Sequence, residues 1–268
     1  MRSETAKPQP ALRLVQLTDL HLLGDPAGRL RGVATGATLD AVLAAARRDL
    51  ARADLLLLTG DLAEHGEAAA YRRLRERVDT LGASGRVHAL PGNHDHPARL
   101  ATHLPATGDA RVVVLERAPW QLLLLDSSVP GRSAGLLDPD QLAWLDARLA
   151  AAEQPHALVV LHHPPLPIGS PWLDAIMLAN GTDLLAVLDR HAAVRGVLFG
   201  HVHQAFERRR RGVRHFATPA TCVQFLPRTE RVRIDPRGPG WRTLALYPDG
   251  RIRSRVRRIP RAGHSVTG

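Results

Sequence analysis

Seven short apolar runs, at residues 12–18, 54–59, 86–90, 111–116, 121–126, 157–162 and 194–199, set the rhythm of this chain. Between them lie amphipathic stretches at helical spacing, over 38–52, 67–81 and 139–153. In the first of these, Leu39, Val42, Leu43, Ala46 and Leu50 recur three or four apart, which puts them on one buried stripe. Strand-length runs alternating with helices lead to an α/β layered fold. Shorter helices are expected over 172–178 and 183–191. Past residue 203 the pattern shifts to brief alternating pieces, TCVQF and WRTLALYPDGRIRSRVRRI, with Pro248-Asp249-Gly250 supplying turn chemistry. The second half is therefore expected to be richer in antiparallel hairpins. With no linker, repeat or low-complexity tract in view, one domain over 12–259 is expected, flanked by a disordered tail at 1–11 and a C-terminal tail at 260–268.

Composition narrows the function classes. No apolar run approaches the roughly 18 residues needed to cross a bilayer, and MRSETAKPQP lacks the apolar segment of a secretory leader. One cysteine, Cys222, excludes an internal disulfide framework and makes the cytoplasm the simplest location. A net charge of +10 invites a nucleic-acid reading. Against it, the basic residues are nearly all arginines in a chain dominated by Ala, Leu and Gly, as compositional drift would produce. The densest clusters are Arg208 to Arg211 and 251–258. In the latter, Arg251, Arg253, Arg255 and Arg257 share one strand face, an ordinary protection for an edge strand. Neither a nucleic-acid nor a membrane partner is expected.

Five of the apolar runs end in chemistry. They lead into Asp19-Leu20-His21, Gly60-Asp61, Gly92-Asn93-His94-Asp95, His162-His163-Pro164-Pro165 and Gly200-His201-Val202-His203. Each cluster falls just past the C-terminal end of a strand, the edge at which open α/β sheets bind ligands. Oxygen and imidazole donors without thiolate suit Mn, Fe or Zn. Two such ions about 3.5–4 Å apart can share a carboxylate and clamp a phosphoryl group. Glycines before Asp61, Asn93 and His201 would let the backbone turn tightly there. Each motif alone is weak; the ordered set of five is not a packing pattern.

That ordered set resembles the calcineurin-like metallophosphoesterases, and within them the bacterial class III 3′,5′-cyclic-AMP phosphodiesterases. The closer likeness lies in LPGNHD (90–95), LHHPPLP (161–167), FGHVHQ (199–204), ATPATCVQFLP (217–227) and PGWRTLALYPDG (239–250), and runs from Leu12 to Ile259. The resemblance implies a four-layer αββα sandwich of two mixed β-sheets flanked by helices. It implies one metal held by Asp19, His21, Asp61 and His203, and another by Asp61, Asn93, His162 and His201, with Asp61 bridging. The ions would be Fe, Mn or both, with Zn as an alternative. A metal-bridging hydroxide would attack phosphorus, and His94 would stabilise or protonate the departing O3′, giving 5′-AMP from cyclic AMP.

Other residues carry weaker expectations. His162 and His163 are not both expected to face the metals, since side chains alternate along a strand, and His163 reads as structural or supporting. Asp95 either orients His94 or closes the loop after it. Cys222 reads as a small buried residue, and His65, His88, His156 and His191 as structural. Trp172, Asp174 and Asn180 either line a nucleotide pocket or serve structure. Ala34 stands where similar chains often carry a polar residue, which suggests an altered loop beside the site. The competing functions are the same centre acting on 2′,3′-cyclic nucleotides, glycerophosphodiesters or phosphomonoesters; a nuclease using the arginine-rich surface; and a non-catalytic scaffold. A monomer or a homodimer is compatible with all of them.

Overall fold

Apolar runs with no polar residue at alternate positions, such as Leu55–Leu58 and Leu122–Leu125, need cover on both faces. A computed structural model, which describes residues 9–104 and 112–260, supplies that cover. The outer parts of both expected tails, 1–8 and 261–268, lie outside the described residues, as does Arg111 of the fourth apolar run.

In chain order the elements are β1 (Leu12–Leu17), β2 (Arg29–Leu30), β3 (Val33–Ala34), α1 (Thr35–Arg52), β4 (Leu55–Thr59), α2 (Ala68–Thr80), β5 (Val87–Leu90), α3 (Pro97–His103) and β6 (Val112–Arg117). They continue with β7 (Trp120–Leu125), α4 (Pro139–Ala150), β8 (His156–Val160), α5 (Pro171–Asp174), α6 (Gly181–Leu188) and β9 (Val194–Phe199). Two hairpins close the fold: β10 (Phe206–Arg210) with β11 (Val213–Ala217), and β12 (Gly240–Leu246) with β13 (Ile252–Arg258).

The strands form a five-stranded sheet, ordered β13-β12-β1-β4-β5, and a six-stranded sheet, ordered β10-β11-β9-β8-β7-β6. Both are mixed. β1, β4 and β5 run parallel, with β12 antiparallel to β1; β7, β8, β9 and β11 run parallel, with β6 and β10 antiparallel at the edges. Alternate residues divide between cores. Leu12, Leu14, Leu55 and Leu57 face Leu122, Leu124, Leu158, Leu198 and Phe216 between the sheets. Leu17, Leu56 and Leu58 face Leu39, Val42, Tyr71 and Leu74 of the first helical layer. On the far side Leu123, Val159 and Val197 meet Leu145, Leu184 and Leu188 of α4 and α6. This is the four-layer αββα sandwich. Burying one leucine of this kind contributes roughly 1.5–3 kcal/mol, so the twofold-covered runs are where the fold draws most of its stability.

Expectation and structure part in places. The helix expected over 172–178 is a single turn at Pro171–Asp174. The segment 221–225 is not a strand, apart from one bridge between Phe225 and Ile234. Its backbone is committed elsewhere: the Thr221 N–H donates to the Thr18 carbonyl and the Phe225 N–H to the His203 carbonyl. A ladder cannot form from groups already bonded to the site loops. β13 is an edge strand with Arg253, Arg255 and Arg257 exposed, as its alternation requires, and Arg251 is exposed just before it.

Candidate functional site

The parallel strands β1, β4, β5, β8 and β9 all end at one pole of the sandwich, and the five polar clusters follow those ends. The backbone there turns abruptly. Asp19, His21, Asp61, His201 and His203 all adopt left-handed conformations, with φ of 53°, 47°, 51°, 70° and 47°. Each such residue is held in a conformation costing about 1 kcal/mol or more, so the surrounding contacts must impose it. The glycines act in two ways. Gly60 takes φ of 92°, a turn only glycine makes freely. Gly92 and Gly200 are needed for close approach instead, since a Cβ would strike the Asp61 side chain at the first and the Thr18 hydroxyl at the second.

Each imidazole is held from behind. The Nδ1–H of His162 donates to the Thr59 carbonyl at 2.8 Å, that of His203 to the Val223 carbonyl at 2.7 Å, and that of His21 to the Glu64 carboxylate at 2.5 Å. His201 is held through the Ile176 backbone. Such bonds fix the tautomer and aim the Nε2 lone pairs inward. The carboxylates are held likewise. Both oxygens of Asp19 accept from the His201 N–H, at 3.0 and 3.1 Å, and Asp61 Oδ1 accepts from the His94 N–H at 2.9 Å.

The free atoms converge. Asp61 Oδ2 lies 3.3 Å from His162 Nε2 and 3.7 Å from His21 Nε2, and Asp19 Oδ1 lies 3.5 Å from His203 Nε2. His21 Nε2 and His203 Nε2 face each other at 3.0 Å. Two nitrogens each about 2.1 Å from one ion, at right angles, have about that separation. Among the described residues Asn93 Oδ1 and His201 Nε2 are buried with no hydrogen-bond partner, and His162 Nε2 has only the Asp61 carboxylate 3.3 Å away. Orphaned acceptors of this kind are rare in a native interior, and a hard or borderline cation is the partner their chemistry fits. The residues that could hold metal therefore fit a pair of divalent ions, with Asp61 between the two halves.

Charge follows the geometry. Burial lifts Asp19 to about 6, opposed by His162 and reinforced by Asp61. Burial would lift Asp61 too, but His162 and His21 outweigh it and hold the carboxyl well below its usual range. Burial pulls His162 down, yet Asp61 and Asp19 carry it up to about 9. His201 falls to about 3 through burial and the neighbouring His162. Two buried carboxylates thus sit among imidazoles that compete for protons, an arrangement cations would neutralise.

His94 stands at the mouth. Its ring meets that of His21 edge to face at 4.9 Å, its Nδ1–H donates to the Glu64 carbonyl at 3.0 Å, and the Glu64 carboxylate lies 3.5 Å away. A cleft of about 170 Å³ opens there, walled by Leu30, Arg31, Trp172, Ile176 and Phe225.

The structure decides several residues left open above. Asp95 does not touch His94: it accepts from the Gly92, Leu62 and Ala63 N–H groups and from the Tyr71 hydroxyl, tying the two loops together. His163 is bonded through Nδ1 to the Ser127 hydroxyl at 2.8 Å and its ring packs on those of His162 and His201. Its Nε2 is buried without a partner among the described residues, and with those two histidines it forms a donor group within 4.8 Å, so a supporting role and a ligand role both fit its position. Trp172 lines the cleft, but Asp174 accepts from the Ile168 and Gly169 N–H groups, and Asn180 bridges both backbone groups of Leu137. The Cys222 thiol is buried, donates to the Asp19 carbonyl at 3.2 Å and has its pKa pushed well up by burial. His156 and His191 are bonded to the Pro248 carbonyl and to Asp146. Ala34 ends the β2–β3 hairpin, whose Leu30 and Arg31 wall the cleft, and does not itself line it. Glu64 was missed by the sequence reading; its only signal is its place three residues past Asp61.

Comparison with known proteins agrees with this geometry. Residues 12–205 match the model of the calcineurin-like phosphoesterases. The chain is 41% identical to the 3′,5′-cyclic adenosine monophosphate phosphodiesterase CpdA of Escherichia coli K12, over 92% of this chain and 90% of that one. It is 36% identical to a 3′,5′-cyclic-nucleotide phosphodiesterase of Nostoc, over 93% of each. Among solved structures, a dimetal phosphatase from Danio rerio superposes with a TM-score of 0.68 at 20% identity, over 93% of this chain and 97% of that one. This chain belongs to the calcineurin-like phosphoesterases.

Proposed function

We propose that the protein hydrolyses 3′,5′-cyclic AMP to 5′-AMP at a dinuclear metal centre. The observation that carries the chemistry is the set of buried donor atoms at this pole: His162 Nε2 and His21 Nε2 lie 3.3 and 3.7 Å from Asp61 Oδ2, and Asn93 Oδ1 and His201 Nε2 are buried without a partner among the described residues. The substrate follows from end-to-end similarity to relatives named for it.

In this reading Asp19, His21, Asp61 and His203 would hold one ion, and Asp61, Asn93, His162 and His201 the other. Asp61 would belong to both sets, and its Oδ1 is kept in place by the His94 N–H. Bound there, Fe, Mn or Zn ions supply Lewis acidity toward the phosphoryl group and lower the pKa of water. The chain's own residues do the rest. His94 presents Nε2 to the leaving O3′, with its Nδ1–H anchored on the Glu64 carbonyl and the Glu64 carboxylate behind it as counter-charge to an imidazolium. General acid help of this kind is worth about 10²–10⁴ in rate. Trp172 and Phe225, whose rings meet edge to face at 5.0 Å, offer an aromatic wall to the nucleoside, and Arg31 offers a cation to the phosphate. A single buried cysteine suits the reducing cytoplasm, where we place the reaction. No helix among the described residues is long and apolar enough to cross a membrane.

The test is turnover of 3′,5′-cyclic AMP by Mn²⁺-reconstituted protein beside 2′,3′-cyclic AMP and bis(p-nitrophenyl) phosphate, with products separated by chromatography. Fast release of 5′-AMP is expected. Cleavage of the generic diester alone would leave the metal chemistry standing and the substrate wrong.

A further inference from the structure

A second concavity lies against the catalytic cleft, across the β2–β3 hairpin. It encloses about 410 Å³, against about 170 Å³ for the cleft, which is within the range of sites that bury small organic ligands. Its floor is apolar: Cys222 and Val223, with Val33 packed on them. Ala37 and Ala41, one turn apart on α1, form its mouth. Its rim is cationic. Arg29, Arg31 and Arg237 line it against a single acid, Asp235, which is already paired with Arg237. Among the described residues the Arg29 guanidinium donates only to the Gly32 carbonyl, and that of Arg31 has no ion-pair or hydrogen-bond partner. The first turn of α1, which has neither a side-chain cap nor an acidic residue, opens on the same space and adds to its positive potential.

The two concavities share a wall. Arg31 lines both. It sits at φ of 47° ahead of Gly32 at 82°, in a hairpin turn whose first position favours asparagine or glycine. Behind it, Val223 faces the cavity while its carbonyl holds His203, and Phe225, two residues on, stacks on the His203 ring at 4.4 Å from the cleft side.

We propose that this cavity is a ligand site for an amphipathic organic anion, a carboxylate or sulfonate on a flat apolar body. The body lies on Cys222 and Val223, the anionic group is taken by Arg29 and Arg31, and binding draws Arg31 out of the catalytic cleft. Occupancy therefore weakens substrate binding without disturbing the metal ligands. The inference stands apart from the choice of cyclic AMP as substrate, because it is read by direct binding and by hydrolysis of a generic diester.

The probe is 8-anilinonaphthalene-1-sulfonate, titrated by fluorescence into the Mn²⁺-loaded full chain and then held at saturation during bis(p-nitrophenyl) phosphate turnover. One site per chain is expected. Ala41→Trp, at an exposed helix position, fills the mouth and weakens dye binding about tenfold or more; Arg29→Ala weakens it about fivefold. Saturating dye raises KM about fivefold at constant kcat, and the rise disappears in Ala41→Trp. Dye binding equal in wild type and both variants places the dye elsewhere and overturns the proposal. So does a KM that ignores bound dye, and so does a KM rise that persists in Ala41→Trp, which would put the dye in the cleft itself. Circular dichroism confirms the fold of each variant, and Arg29→Ala carries the test alone if Ala41→Trp does not fold.

Discussion

Asp61 is the residue on which both halves of the site depend. Asp61→Ala is expected to abolish hydrolysis and to release bound metal, read together by turnover and by elemental analysis after gel filtration. His94→Ala should separate the two properties: metal content stays, while kcat falls about 10²–10⁴-fold. Wild-type turnover in that variant would remove His94 from the chemistry. Glu64→Gln tests the support behind His21. Losing the charge on a partner of this kind weakens metal binding about 10- to 100-fold, measurable by competition with a chelator. Most site residues were legible because a donor beside a strand end is a rare sequence event and five of them occur in order. Glu64 was not, because one acid among 26 Asp and Glu has no mark of its own; only folding brings it to 2.5 Å from His21. Asp174 and Asn180 were legible only as alternatives, a ligand contact or a structural role. Their polarity looked available for a ligand, but backbone groups nearby had the stronger claim.

At the scale of elements, what local pattern determines was readable and what tertiary contact determines was not. The leucine runs declared themselves by their length and continuity, and the stripe of α1 by its period. The two-residue strands β2 and β3 are too short to show one, and α3 is a brief helix started by Pro97 that no apolar repeat announces. Segment 221–225 has strand-like residues but spends its backbone on the site. The loops that carry Asp61 and Asn93 are joined by Asp95 and Tyr71, whose hydroxyl donates to Asp95 and accepts from the His96 N–H. Tyr71→Phe removes both bonds while keeping the ring in its buried slot. A loss of about 1–3 kcal/mol is expected, seen as a lower denaturation midpoint with an unchanged denaturant slope. An unchanged midpoint would show that the loops are held by the metal ligands alone.

For the whole molecule, ligand binding and folding are linked. If two buried carboxylates and their imidazoles are matched by cations only in the folded state, chelation lowers stability by mass action. At free metal about 100 times the dissociation constant the difference is about 2.7 kcal/mol per site, or about 5–10 °C in Tm for a chain of this size. Scanning calorimetry with and without a chelator reads it directly, and coincident transitions would mean that the site does not bind in that range. The left-handed residues at the strand ends give that linkage a history as well as a magnitude. Asp19, His21, Asp61, His201 and His203 occupy conformations that glycine or asparagine would accept more easily. While catalysis is selected they cannot be exchanged. Nor does a descendant freed from that duty gain by changing them, because the backbone strain relieved at each, about 1 kcal/mol, is smaller than the cost of about 2–5 kcal/mol for emptying a buried position. The loops are therefore bound to the shape of the site by their own side chains, and a lineage that abandons the reaction keeps the outline of the centre long after it has stopped using it.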